Sequence, residues 1–256
     1  MNSAPTVTRW KSQRATRLST APPLAQQIAL VTGANRGLGL EVVRQLAATG
    51  MTVLLGSRKL DLCERAAQAL RYTGADVVAV KLDVTRPEDI NAAARLIENS
   101  YGRLDVLVNN AGGYYDVNAR PTSISLDTVQ AALDLNLFGA WRMNEAMLPL
   151  MRVHGFGRIV NVSSGCGSST IDGDTCPAYR VSKAALNMYT RTLAAELEGS
   201  GILINAVCPG WTATDMGGPG GRAIGDGAEG IVWAACLSAK MSMNGLFFRD
   251  RQPMAW

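Results

Sequence analysis

A chain of 256 residues with 47% hydrophobic side chains can bury a full core, and one α/β domain accounts for that length without a second. The formal charge of +4 would suggest a nucleic-acid or membrane footprint, but Arg9, Lys11, Arg14 and Arg17, all in the acid-free stretch 1–24, account for the whole excess. The remainder is balanced and no run approaches the ~20 apolar residues of a membrane span, so neither nucleic acid nor membrane is expected as a partner.

Residues 1–24 are rich in Ser, Thr, Arg and Pro and lack a continuous apolar stretch, so they do not read as a secretory signal peptide. The composition fits either an organellar transit segment or a disordered basic extension, and it is set apart from a single domain expected over 25–256. Cys63, Cys166, Cys176, Cys208 and Cys236 form no C-x-x-C pair, and the lone His154 offers no ligand cluster, so no metal is expected. Unspaced cysteines point to a reducing compartment, hence the cytoplasm unless the extension targets an organelle.

From residue 27 onward, short apolar runs alternate with segments of helical period. IALVTG, MTVLLGS, ADVVAVKLDV, LDVLVNNAG, GRIVNVSS, ILINAVCPG and NGLFFRD predict strands, with helices such as CERAAQALRYTG and PEDINAAARLIENSYG between them. Pro87 sits where a first helical turn tolerates it. Strands apolar throughout, rather than alternating, are what a parallel sheet covered on both faces requires. The expected fold is α/β: a doubly wound Rossmann sheet of about seven parallel strands with helices on both faces. MGGPGGRAIGDG, residues 216–227, carries too much glycine for a regular element and reads as a mobile loop beside the ligand-binding edge of the sheet.

The first strand runs into TGANRGLG, residues 32–39, and then into a helix. Gly33, Gly37 and Gly39 let the backbone approach a ligand, and the helix N-terminus behind them presents unpaired N–H groups to a phosphate. Asn35, Arg36 and Leu38 belong to the same turn. A dinucleotide site selecting NAD places a carboxylate at the end of the second strand, about 20 residues on. Here that end reads Gly56, Ser57, Arg58, so a 2′-phosphate would meet Arg58, Ser57 and Arg36, and the expected cofactor is NADPH/NADP+.

Further on, PAYRVSKAALN places Tyr179 and Lys183 four apart on one helical face. A phenol with an ordinary pKa of about 10 needs a nearby ammonium to become a useful acid or base at neutral pH. TGANRGLG, the Asp83-Val84 pair, NNAG at 109–112, Asn136 in LNLFG, VNVSS, YRVSK and Pro209-Gly210 follow one another in an order and spacing that resembles the short-chain dehydrogenase/reductases, over nearly the whole chain from residue 27. The tail FFRDRQPMAW is similar to the carbonyl-reductase-like branch.

The resemblance implies Tyr179 as general acid in carbonyl reduction, with Lys183 lowering its pKa and binding the nicotinamide ribose. It implies Ser164 on the substrate carbonyl and Asn136 holding a water in a proton relay. It places Asp83 and Val84 at the adenine, Asn109 to Gly112 (thus Asn110 and Ala111) as the floor, and Thr212 and Thr214 at the carboxamide and phosphates after Pro209 and Gly210. The stretch from Ser164 to Tyr179 is longer than the commonest family spacing, which leaves Ser163 as an alternative to Ser164. The short connection after Thr214 implies an open, tolerant site. Tyr114, Tyr115, Cys166, Trp211 and Met216 are candidate pocket residues for a small carbonyl substrate. A homodimer or homotetramer paired through the Tyr179 helix is usual in the family, and monomers occur. The expected activity is NADPH-dependent carbonyl or keto reduction. The alternatives are a dedicated biosynthetic alcohol dehydrogenase and a non-catalytic NADP(H) sensor.

Overall fold

The computed structural model describes residues 21–113, 116–238, 241 and 243–256. Most of the basic extension, to residue 20, therefore lies outside the described residues, as do Tyr114 and Tyr115. Among the described residues, eight strands form one sheet in the order β3-β2-β1-β4-β5-β6-β7-β8. They are β1 (Ile28–Val31), β2 (Thr52–Ser57), β3 (Val77–Lys81), β4 (Val106–Asn109), β5 (Gly157–Val162), β6 (Ile202–Val207), β7 (Phe247–Arg249) and β8 (Gln252–Pro253). The first seven pair in parallel, as expected, and β8 adds a short antiparallel edge that the sequence reading did not contain. Its cause is a two-residue turn in which Asp250 and Arg251 both take positive φ, at 51° and 63°, the sense that matches the twist of a tight hairpin.

Residues along each strand split between two cores. Leu30, Leu54, Leu107 and Ile159 pack against α3 (Pro87–Tyr101), α5 (Gly139–Arg152) and α6 (Pro177–Glu196). Val31, Leu55, Val108 and Val160 pack against α1 (Gly37–Ala48), α2 (Leu60–Arg71) and α7 (Ile224–Ala235). This two-sided burial is why the strands are apolar at successive positions. Truncating one of these fully buried leucines to alanine costs about 2–5 kcal/mol. No helix among the described residues is long and apolar enough to cross a membrane.

Strand order reverses between β1 and β4, which opens a crevice at the carboxyl ends of the strands. Two features there differ from expectation. α4 (Leu126–Leu133) continues through a π-helical turn, Asp134–Phe138, directly into α5. The glycine-rich stretch 216–227 is not structureless: α7 begins inside it at Ile224, and Thr212 forms an isolated bridge to Arg222. Some of its glycines serve close packing: a Cβ on Gly227 would come within 2.6 Å of the Thr212 hydroxyl and one on Gly221 within 2.6 Å of the Ala213 nitrogen.

Candidate active site

The turn between β1 and α1 is shaped by backbone contact. Asn110 at the end of β4 donates from Nδ2 to the carbonyls of Thr32 at 2.8 Å and Gly33 at 3.1 Å, and a Cβ on Gly39 would lie only 2.4 Å from that nitrogen. Arg36 occupies the position before α1 with extended backbone, and no side chain caps the helix. The first N–H groups of α1 thus remain without an intrahelical or side-chain partner. A Cβ on Gly37 would meet nothing nearer than Thr214, at 3.8 Å, so the space over this turn is open. Open space above uncapped N–H groups is the cradle a phosphate needs, and the residues present fit a dinucleotide.

One cavity of about 790 Å³ runs from this turn to α6. Of the residues assigned above to the cofactor, all but Asn109 line it, together with Ser164, Cys166, Trp211 and Met216. Asn109 and Asn136 do not. Asn109 faces the core instead, donating at 2.9 Å to both Asn144 and Asn161, so the floor is made by Asn110, Ala111 and Gly112 without it. The charges at this end are exposed. Arg36 forms an ion pair of 2.6 Å with Asp215, both side chains being more than 70% exposed at 73% and 75%, while Arg58 has no acidic partner among the described residues. Ser57 is buried and turns its hydroxyl onto the Lys59 carbonyl at 3.1 Å. Asp83 accepts from the Thr85 amide at 3.0 Å and hydroxyl at 2.7 Å, which orients it at the rim.

At the other end, α6 begins after Cys176, whose left-handed backbone, φ 50°, turns the chain into Pro177. Buried Asp116 accepts from the backbone amides of Ala178 at 2.7 Å and Tyr179 at 3.3 Å, capping the helix from a distant loop. Tyr179 and Lys183 face the cavity from this helix. Ser164 shares a hydrogen bond with the Tyr179 hydroxyl, whereas Ser163 donates to Asn187 at 2.6 Å and is buried against α6. That arrangement answers the question the spacing left open: Ser164 faces Tyr179.

Burial pushes the Tyr179 phenol above its ordinary range, and the hydrogen bond from Ser164 pulls it back in part. Burial also lowers Lys183 to about 8, and its Nζ donates to the Val162 carbonyl at 2.8 Å while lying 5.8 Å from the Tyr179 ring centre. Asn136 sits in the π-helical turn, where an extra residue per turn is common near functional sites. Its Oδ1 accepts from the Gly113 amide at 2.9 Å, and its Nδ2 donates to the Gly113 carbonyl and the Ser182 hydroxyl at 3.0 Å each. In this arrangement Asn136 ties the cavity floor to α6; a Cβ added at Gly112 would lie 3.1 Å from its oxygen and 3.5 Å from Lys183 Nζ.

Four site residues had no signal in the sequence: Asp116, Cys208, Asp215 and Arg249. Cys208, just beyond β6, receives N–H groups from Gly165 at 3.1 Å and Gly210 at 3.4 Å, and two from Arg249 at 3.1 and 3.4 Å. Apart from the Gly210 bond to Cys208, these contacts join residues far apart in the chain, so only the fold reveals them.

Residues 27–223 match the family model described as short chain dehydrogenase. The chain is similar to a 3-oxoacyl-[acyl-carrier-protein] reductase of Synechocystis, 36% identical over 194 residues that span 75% of this chain and 77% of that protein. It is also similar to (+)-neomenthol dehydrogenase of Arabidopsis thaliana, 32% identical over 286 residues, 88% of this chain and 96% of that one. Among solved structures, NADPH-bound carbonyl reductase from chicken fatty liver shares 30% identity and a TM-score of 0.79, over 90% of this chain and 99% of the other.

Proposed function

The chain belongs to the short-chain dehydrogenase family of oxidoreductases acting on CH–OH groups, and from that premise we propose that it is an NADPH-dependent carbonyl reductase. The reaction is hydride transfer to a ketone or aldehyde, reversible in principle, with Tyr179 as the proton donor. The observation that carries this reading is the meeting of Ser164, Tyr179 and Lys183 at one end of a cavity whose other end is the uncapped N-terminus of α1. Bound there, NADPH supplies the hydride.

The chain's own residues orient the carbonyl and manage the proton. Ser164 and the Tyr179 hydroxyl converge on the position of the substrate oxygen, where they stabilise the developing alkoxide. Because burial keeps the phenol protonated, Tyr179 is a ready donor in reduction at neutral pH. Oxidation requires the phenolate, which the same burial opposes. Lys183, still largely charged below its pKa of about 8, is anchored on the Val162 carbonyl and supplies positive potential beside the Tyr179 ring. Asp116 and Asn136 position α6 and the 113 loop without touching the reacting atoms.

The preference for NADPH rests on Arg58, exposed at the end of β2 with no acidic partner among the described residues, and on Arg36, which a 2′-phosphate would draw away from Asp215. Proteins named as a 3-oxoacyl-[acyl-carrier-protein] reductase and a carbonyl reductase, the latter NADPH-bound, support the substrate class. Exposed Trp141 on α5 and Val181 and Met188 on α6 support pairing of two copies through these helices, a state that light scattering after gel filtration checks. The test of function is a panel of ketones and aldehydes with NADPH, followed by loss of nicotinamide absorbance. Wild type is expected to turn over several members and Tyr179→Phe none; full activity in that variant would overturn the mechanism.

A further inference from the structure

The substrate end of the cavity holds a cation that the proton chemistry above does not use. Arg249 closes β7 and lines the cavity beside Ser164, Ile171 and Tyr179. Its guanidinium lies over Gly165, the residue after Ser164: a Cβ there would lie 2.4 Å from one terminal nitrogen.

Its neighbours in the chain are ion-paired, and among the described residues it is not. Asp250 takes Arg222 at 2.5 Å, and Arg251 takes Glu229 at 3.0 Å. Arg249 has no acidic partner among the described residues. Its hydrogen bonds go from Nε and one terminal nitrogen to Cys208 Sγ, at 3.4 and 3.1 Å. A thiol is a weak acceptor, and a guanidinium carries five N–H donors, so this contact orients the fork without exhausting it. Arg36, Arg58 and Asp83 lie at the nucleotide end, and Asp215 is taken by Arg36, so no carboxylate of the described lining offsets Arg249 and Lys183 at the substrate end.

We propose that Arg249 is a specificity-determining residue that binds a carboxylate of the substrate, so that the preferred carbonyl compounds are oxo acids rather than neutral ketones. A planar carboxylate fits the free edge of the guanidinium through paired N–H bonds, and the part-buried setting strengthens them. Cys208 holds the fork toward the cavity, and the tight turn through Asp250 and Arg251 fixes the backbone that carries it. The inference rests on the carbonyl-reductase reading for its substrate and on Arg249 alone for its charge.

The test compares pyruvate, acetoacetate and levulinate, each with its methyl ester, by NADPH oxidation. Wild type is expected to favour the acid over the ester in at least one pair by about tenfold or more in kcat/KM. Arg249→Met should collapse that ratio to near one, with Arg249→Lys between the two. Equal or better use of the esters by wild type, or an unchanged ratio in Arg249→Met, would overturn the proposal. Calorimetric titration of levulinate and methyl levulinate into wild type and Arg249→Met with NADP+ present needs no turnover. Levulinate binding lost in the variant supports the carboxylate site even if no carbonyl is reduced. Equal binding by both proteins contradicts it, and absence of turnover alone counts against the reductase reading.

Discussion

At the nucleotide end of the crevice, around the turn that leads into α1, recognition is built from backbone and exposed charge. At the substrate end it is built from buried side chains that hold one another. Arg36 and Asp215 pair across open solvent, where an ion pair is worth ~0–1 kcal/mol and gives way easily to a better partner. Lys183, Asn136, Ser182 and Asp116 are buried, and each depends on a specific neighbour. Beneath them Asn109, Asn144, Asn161, Thr190 and Tyr189 form a buried hydrogen-bonded set linking β4 and β5 to α5 and α6. In such a set an unmet polar group is costly, so the members act together. The lesson is that the cofactor end should tolerate substitution with graded changes in affinity, while the substrate end should respond steeply.

The steepest response expected after Tyr179 is at Lys183. Lys183→Met should lower kcat for reduction by ~10²–10³-fold, the scale of a lost participant in proton transfer. In wild type, reduction should decline as pH rises through about 8, because the buried ammonium then loses its proton; the variant should lack that limb. The linked stability change has the opposite sign. From about 8 up to the ordinary lysine value of 10.5 the unfolded chain holds a proton that the folded chain has released, so Lys183 destabilises less as pH rises. Denaturant midpoints of wild type and Lys183→Met across that window check it. A variant with unchanged pH profile would remove Lys183 from the chemistry.

Next comes Arg58. Arg58→Asp should reduce the preference for NADPH over NADH by ~10–100-fold, since a charge-assisted contact becomes a repulsion. An unchanged preference would show that exposed charge does not govern cofactor choice and would break the contrast between the two ends.

Asp116 tests whether the substrate end depends on its supports. Asp116→Ala leaves the amides of Ala178 and Tyr179 uncapped, and should cost about 1–2 kcal/mol of stability. The thermal midpoint falls and kcat drops more than KM changes, because Tyr179 loses its anchor. The smallest effect is expected at Asp215. Asp215→Asn frees Arg36 and should tighten NADPH binding by only ~2–3-fold, read by fluorescence titration. A large effect there would mean that the pair is more than a surface contact.

Local chemistry was legible in the sequence, and assembly was not. The glycine turn, the strand pattern and the four-residue offset of Tyr179 and Lys183 depend on near neighbours, so their periods and residue types carry them. The reading of 216–227 as loop holds only in part because Gly217, Gly221 and Gly227 answer to close packing on Thr212 and Ala213, which lie before them in the chain, rather than to local flexibility. Ser163 and Ser164 were inseparable by spacing, since only the position of Asn187 on α6 decides which hydroxyl turns inward. Asn136 was found by resemblance, but the π-helical turn that carries it, and its bonds to Gly113, had no local signal. Asp116 and Arg249 carry no motif: one caps a helix from a remote loop, and the other reaches the site from the penultimate strand.

The contrast between the two ends is tested most directly by measuring the NADPH dissociation constant and the rate of NADPH oxidation side by side in Tyr179→Phe and Arg58→Asp. Tyr179→Phe should bind NADPH within about threefold of wild type while oxidation falls by ~10³-fold or more, and Arg58→Asp should lose affinity first, with kcat at saturation nearly kept. Loss of affinity in Tyr179→Phe with its turnover intact, or loss of kcat in Arg58→Asp with its affinity intact, would contradict the account.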